Sequence, residues 1–441
     1  MVDGDPGRRM EFGELREHWP VLVPCMLGLA LASLQGFSLG VLIHPIEQEF
    51  GWSRAEITLG PFIIACMALL GGPLAGALID RGGPRRVALA GVALYCGALA
   101  FLGAVTSSLL TWWAGWVLLG FAAPLVLATV WMTAINSVFS RNRGMAIALA
   151  LCGTGVGAAV APPLTNLLLV SHGWRGAYIG LAVISALLVV PAVLFLFHSP
   201  ADRRGGAVAR KSEAAVLAGF SAREGFTSPT FIKLTLAVLL FGMTSIALTA
   251  NAVPVMISKG VNASAAAGLA ALIGIGSITG RLIGGFLLDR FDAKFIAGGS
   301  VFAPILSSLL LLLLPDRGMT MAAACFLLGI AAGTEVDACS YLAARHFGMR
   351  SFGALFGTMN GVVLFGGGIA PLVANHVYDV THSYDALLIG MIPTCLVSAG
   401  LFLSLGRYPH FGDVAAQSPC PDASEPAPAV AFGGNEAGGT V

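Results

Sequence analysis

Gly76-Ala-Leu-Ile-Asp80-Arg81-Gly-Gly-Pro-Arg85-Arg86 closes one long apolar run, and Gly285-Phe-Leu-Leu-Asp289-Arg290-Phe-Asp-Ala-Lys294 closes another. Each copy is a glycine, three apolar residues, Asp-Arg, and a base four residues after the Arg. A charged turn recurring at the same place in two halves of an apolar chain marks an internal repeat in a membrane protein. Secondary transporters are built on paired repeats of this kind.

The composition points the same way. Of 441 residues, 56% are hydrophobic and 11% charged, against about 25% charged in soluble domains. Glycine supplies 57 residues, well above the usual share of about 7%, as suits membrane helices whose backbones approach closely. A net charge of +1 without a basic patch argues against a nucleic-acid partner. The eight cysteines form no Cys-x-x-Cys pair and no cluster with histidine, so they read as small packing residues. Neither a metal nor a cofactor is expected. The opening MVDGDPGRRMEF, with no small-residue cleavage site after the first apolar run, gives no cleavable leader.

A membrane helix needs about 20 apolar residues, and twelve runs qualify: near 20–46, 55–79, 87–106, 109–138, 144–170, 174–197, 231–257, 264–288, 295–314, 319–344, 352–377 and 384–405. The expected fold is an all-α membrane protein with twelve transmembrane helices in two pseudo-symmetric six-helix bundles. Its parts are an N-terminal segment 1–19, a first half 20–197, a linker 198–230, a second half 231–405 and a tail 406–441. The linker is polar and basic, with a surface helix expected around 207–220; the tail is rich in Pro, Ala and Gly and reads as disordered. With the N-terminus inside, inner segments hold 19 of the 24 Lys and Arg. The positive-inside rule therefore sets both termini in the cytoplasm.

Asp80, Arg81, Arg85, Asp289 and Arg290 fall at the cytoplasmic ends of the second and eighth spans. Opposite charges on such turns can pair across the halves and hold the inner face shut, a gating role beyond mere anchoring. The two turns resemble the Asp-Arg-x-Gly-x-Arg-Arg loop of the major facilitator superfamily, with Phe291 and Asp292 departing in the second copy. Phe50-Gly-Trp-Ser-Arg-Ala-Glu56, Asn142-Arg-Gly144, Gly153-Thr-Gly-Val-Gly157 with Pro162-Pro163, and Gly173-Trp-Arg175 resemble the bacterial monocarboxylate and oxalate/formate branch. The resemblance covers roughly residues 20–405 and implies a carrier that alternates access to a midplane site in the bacterial inner membrane.

Three ionisable residues stand where charge is expensive. Arg281 lies eight residues before Asp289, so about 12 Å from the inner helix end and near the midplane of a core about 30 Å thick. A charge there costs on the order of 2.5–3.5 kcal/mol and normally has a partner or a task. Glu335 and Asp337 reach similar depth on the tenth span, counted back from Arg345. Residues two apart differ by roughly 200° around a helix, so the two acids cannot face one cavity. Arg281 suits a carboxylate, whose two oxygens match its fork, or forms a structural pair with Glu335 or Asp337. Burial disfavours the charged form of a carboxyl, which makes either acid a candidate proton carrier. Relatives in the resembled branch hold the anion with an arginine at this point of the eighth helix. Oxalate exchangers add a lysine on the eleventh, and 352–377 has no Lys or Arg. One fixed positive charge balances one carboxylate, unless His44 or His376 supplies a second.

Gln35, Trp131, Asn251, Ser277 and Asn360 are further polar or aromatic residues within spans and are candidates to line the substrate path. The expected protein is a monomer in membrane lipid that takes a small organic anion, a monocarboxylate by its one charge, together with protons. Proton-driven efflux of drugs is the rival within transport; the prolines that follow Gly157 do not form the Gly-Pro pair of such exporters. No Ser/His/Asp arrangement, metal-ligand spacing or phosphate loop suggests an enzyme.

Overall fold

The computed structural model describes residues 13–140, 142–202, 219–288, 290–314, 318–348, 350–406 and 408–409. Among them eleven helices are long and apolar enough to cross a membrane. The longest, Arg143–Leu196, is broken at Gly173 (φ 70°, ψ 177°), a left-handed backbone that glycine adopts without strain. Twelve spans result: α1 (Gly13–Phe50), α2 (Arg54–Gly82), α3 (Pro84–Gly103), α4 (Leu109–Val138), α5 (143–172), α6 (174–196), α7 (Pro229–Ala250), α8 (Ala263–Leu288), α9 (Ala293–Leu313), α10 (Gly318–Phe347), α11 (Phe352–Thr381) and α12 (Asp385–Leu403). The expected surface helix at 207–220 and the tail beyond residue 409 lie outside the described residues, apart from Gly219 and Phe220. Gly219 bridges to Gly348, and Phe220 donates its N–H to the Phe347 carbonyl.

Polar side chains finish helix ends that the membrane could not satisfy. Ser53 and Glu56 form a reciprocal capping box on α2. Gly83 (φ 78°) turns the chain into α3, with Pro84 at the first helical position. Asp202, from the start of the linker, then accepts the Arg85 N–H at 2.9 Å. The Glu14 carboxylate accepts from the backbone N–H groups of Ser140 and Asn142, both at 2.8 Å, at the start of α5.

Glycines set the spacing of the bundle. A methyl on Gly153 or Gly157 would stand 2.2 or 2.2 Å from α1 atoms, the Met26 carbonyl oxygen and Ser33 Oγ. On α8, Gly276 and Gly280 meet the Phe326 and Ile330 carbonyls of α10, while Gly329 and Gly333 of α10 meet those of Ile273 and Ser277. Such close backbones gain dispersion contact where the hydrophobic effect offers nothing between helices. The two halves touch along three seams. Gly155 of α5 packs on Gly274 of α8; Gly368 of α11 packs on Ala65 of α2; Gly40 of α1 packs on the Ala250 carbonyl of α7. These seams lie at mid-depth or towards the face away from the termini. Towards the termini the glycines of α2 (Gly72, Gly76) and α11 (Gly353, Gly357) face open space.

This packing makes a direct stability prediction. Gly329→Ala adds a methyl 2.1 Å from a backbone carbonyl and should destabilise by about 1–3 kcal/mol through overpacking. Gly72→Ala, in open space, should leave melting in detergent unchanged, which differential scanning fluorimetry checks.

Candidate functional site

Between the halves lies a cavity of about 220 Å³, walled by α1, α2, α3, α4, α7 and α11. Two of those helices are interrupted beside it. α7 breaks at Asn251 (φ −102°, ψ 9°) and resumes as Ala252–Ser258. α4 tightens to a 3-10 turn at Ala123–Leu125 and leaves helical geometry at Val126. Broken helices of this kind are tolerated at membrane depth only where they line a cavity or are buried in protein. A side chain bonds the backbone at each break. Trp131 donates its indole N–H to the Val126 carbonyl at 2.9 Å, and Asn251 donates its amide to the Ala247 carbonyl at 2.9 Å.

Most of the cavity wall is apolar. Gln35 and Asn251 are among its polar residues, as the sequence suggested, joined by Thr58 and Tyr95. The Gln35 amide nitrogen is buried there without a partner among the described residues. Trp131 is not a wall residue: it is fully buried in the first half, stacked near Phe197 and filling the space over Gly28. Ser277 is caught in the α8–α10 packing, its carbonyl against Gly333. Asn360 is exposed on α11 and does not border the cavity.

Arg281 is also outside the cavity wall, on α8 and only 8% exposed. Its Nη1 donates to Asp337 Oδ1 of α10 at 3.1 Å. The remaining guanidinium nitrogens make no hydrogen bond among the described residues, and neither is a sealed orphan. The Asp337 side chain keeps 25% of its surface, and Cys152 of α5 lies within electrostatic reach of both charges. The pair therefore sits where the second half meets the first, with donors to spare. Glu335 takes the other side of α10, as its spacing from Asp337 requires. It is buried against Gly242 of α7 and makes no hydrogen bond or ion pair among the described residues. The three ionisable residues thus divide into one ion pair and one isolated acid.

On the face that carries the termini, Asp80 and Arg81 make no hydrogen bond or ion pair among the described residues and are exposed. Arg85 donates to the Leu194 carbonyl at 2.5 Å within its own half. Arg290 stacks on Phe286 of its own helix, 4.2 Å from the ring centroid. Asp289 lies outside the described residues. Among the described residues, no hydrogen bond, ion pair or ring contact of Asp80, Arg81, Arg85 or Arg290 crosses between the halves.

Twelve spans in two halves around a central cavity, with broken helices beside it, define a multi-pass membrane transporter. The chain belongs to the Major Facilitator Superfamily, whose family model matches residues 25–371, and members of this superfamily are transporters rather than enzymes. It is 30% identical to monocarboxylate transporter 11 of Homo sapiens over 258 residues, 57% of this chain and 52% of the relative. It thus spans about half the length of that relative. It is 25% identical to the oxalate:formate antiporter of Oxalobacter formigenes over 259 residues, 59% of this chain and 60% of the relative. A bacterial homologue of the human lysosomal transporter Spinster, solved in an inward-facing and occupied conformation, shares the fold with a TM-score of 0.68 at 17% identity. That match covers 90% of this chain and 97% of the other.

Trp131→Phe should keep the ring packing yet orphan the buried Val126 carbonyl. The expected loss is about 1–3 kcal/mol, read as a lower melting temperature in detergent.

Proposed function

We propose that this chain is a secondary carrier that moves a small organic monocarboxylate together with protons across the bacterial inner membrane. In this reading both termini are cytoplasmic. The observation that carries the proposal is the partly satisfied Arg281: one nitrogen on Asp337, the others without a hydrogen bond among the described residues.

An arriving carboxylate takes the free donors of Arg281 in a charge-assisted, two-point hydrogen bond. It competes there with Asp337, so substrate and acid exchange on one cation. Arg281 alternates between the two anions and is never left unpaired, the state in which a buried charge is most costly. Glu335 takes the proton. An unpaired carboxylate sealed among apolar neighbours is expensive, so this acid is held neutral while it faces α7, and it gives up the proton only when the halves move. Gln35 and Asn251 contribute polar contacts in the cavity, and its apolar remainder takes the carbon chain. The names of the relatives, monocarboxylate transporters and an oxalate:formate antiporter, support an anionic substrate. Closure of the inner face brings Asp80, Arg81, Arg85, Asp289 and Arg290 back into contact across the halves.

Uptake of labelled monocarboxylates into proteoliposomes tests this reading. Arg281→Ala should abolish uptake, and Arg281→Lys, which lacks the planar fork, should keep only a small part of it. An Arg281→Ala protein that transports as well as wild type would refute the assignment. Glu335→Gln should uncouple: exchange of internal for external substrate persists, while stimulation by an inward proton gradient disappears. Competition by organic cations rather than carboxylates would instead identify an exporter of drugs.

A further inference from the structure

The face opposite the termini is shut by more than helix packing. Arg54, at the start of α2, is 7% exposed and is grasped by residues of the other half. Its backbone N–H and that of Ala55 donate to the two carboxylate oxygens of Asp379 at 3.1 and 2.9 Å. An α11 acid thus caps an α2 N-terminus, where the helix dipole favours negative charge. The Arg54 guanidinium lies 3.8 Å over the centroid of the Tyr378 ring, a cation–π contact. Its Nη1 donates to the Tyr384 hydroxyl at 3.0 Å. The remaining side-chain donors go to Glu47 of α1 at 3.1 and 3.0 Å.

The cluster is wired to the cavity. The Tyr384 hydroxyl donates to Asn375 Oδ1 at 2.9 Å, and Asn375 donates its amide to Asn251 Oδ1 at 2.8 Å. Asn251 is the residue at the break of α7 that borders the cavity. One unbroken run of hydrogen bonds leads from Glu47 at the outer rim to the cavity wall and crosses between the halves at Arg54.

We propose that Arg54, Asp379, Tyr378 and Tyr384 form a polar lock that sets how readily the face opposite the termini opens, with Asn375 and Asn251 linking it to the cavity. Polar groups suit this task better than apolar ones. When the face opens, water re-solvates Arg54, Glu47 and Asp379, which offsets part of the contact energy lost with the lock. A bistable contact of this kind is what a carrier needs to pass between two packings of similar free energy.

Double electron–electron resonance on the full chain in lipid nanodiscs tests the lock without any substrate, so its outcome is independent of the carrier reading. Nitroxides at Gln48→Cys and Ala265→Cys, on a cysteine-free background, report the distance between the halves at this face. Both residues are exposed. Asp379→Asn keeps the shape but removes the charge. It should raise the ratio of long to short distances about tenfold, equal to about 1.4 kcal/mol of lost differential contact. Tyr384→Phe, which only cuts the hydroxyl links, should give a smaller shift in the same direction and covers the case in which the first variant fails to fold. Distance distributions identical to the parent in the folded variants would overturn the proposal.

Discussion

An arginine held deep in a bilayer by a single contact to aspartate is the constraint from which the rest follows. A buried ion pair contributes little net stability, because desolvation offsets most of the Coulomb attraction. Losing one partner is another matter, since it strands a charge. Arg281 and Asp337 thus form a contact that is cheap to exchange and costly to break. The glycine zipper of α8 and α10 makes the pair possible: Gly333 brings the α10 backbone against Ser277 and the Arg281 N–H, so side chains 56 residues apart in sequence meet side by side.

The cavity is built by interruption. Both α4 and α7 depart from regular helix at its wall; Trp131 takes the carbonyl released at Val126, and the Asn251 amide adds a second bond to the Ala247 carbonyl. That accounts for a tryptophan with no surface in the cavity yet a direct part in shaping it. The charged pair lies outside the cavity wall, which is mostly apolar.

Much of the architecture is legible in the sequence because the bilayer imposes a length on every helix. The division at Gly173-Trp-Arg175 holds although the helices on either side run almost without interruption, and the runs that nearly touch at Ser107-Ser108 are distinct helices. The common depth of Arg281 and Asp337 follows from counting residues to the helix ends. The partner of Arg281 does not, because a helix read alone has no rotational reference: the spacing separates Glu335 from Asp337 without saying which faces α8. Trp131 and Ser277 were misjudged as path residues for a related cause. Polar or aromatic character marks them, but their partners are a carbonyl freed by an unmarked turn at Ala123–Leu125 and a glycine on another helix. Asn375 and Tyr384 act through contacts with distant segments, Arg54 among them, and nothing local announces them.

The central claim is that an incoming carboxylate and Asp337 compete for one guanidinium. A structure determined with a small monocarboxylate bound tests this most directly. The account predicts the anion's oxygens within hydrogen-bonding distance of Arg281, about 2.7–2.9 Å, with the Asp337 contact loosened or lost. An anion bound elsewhere in the cavity, with Arg281 and Asp337 still joined as they are here, would contradict it.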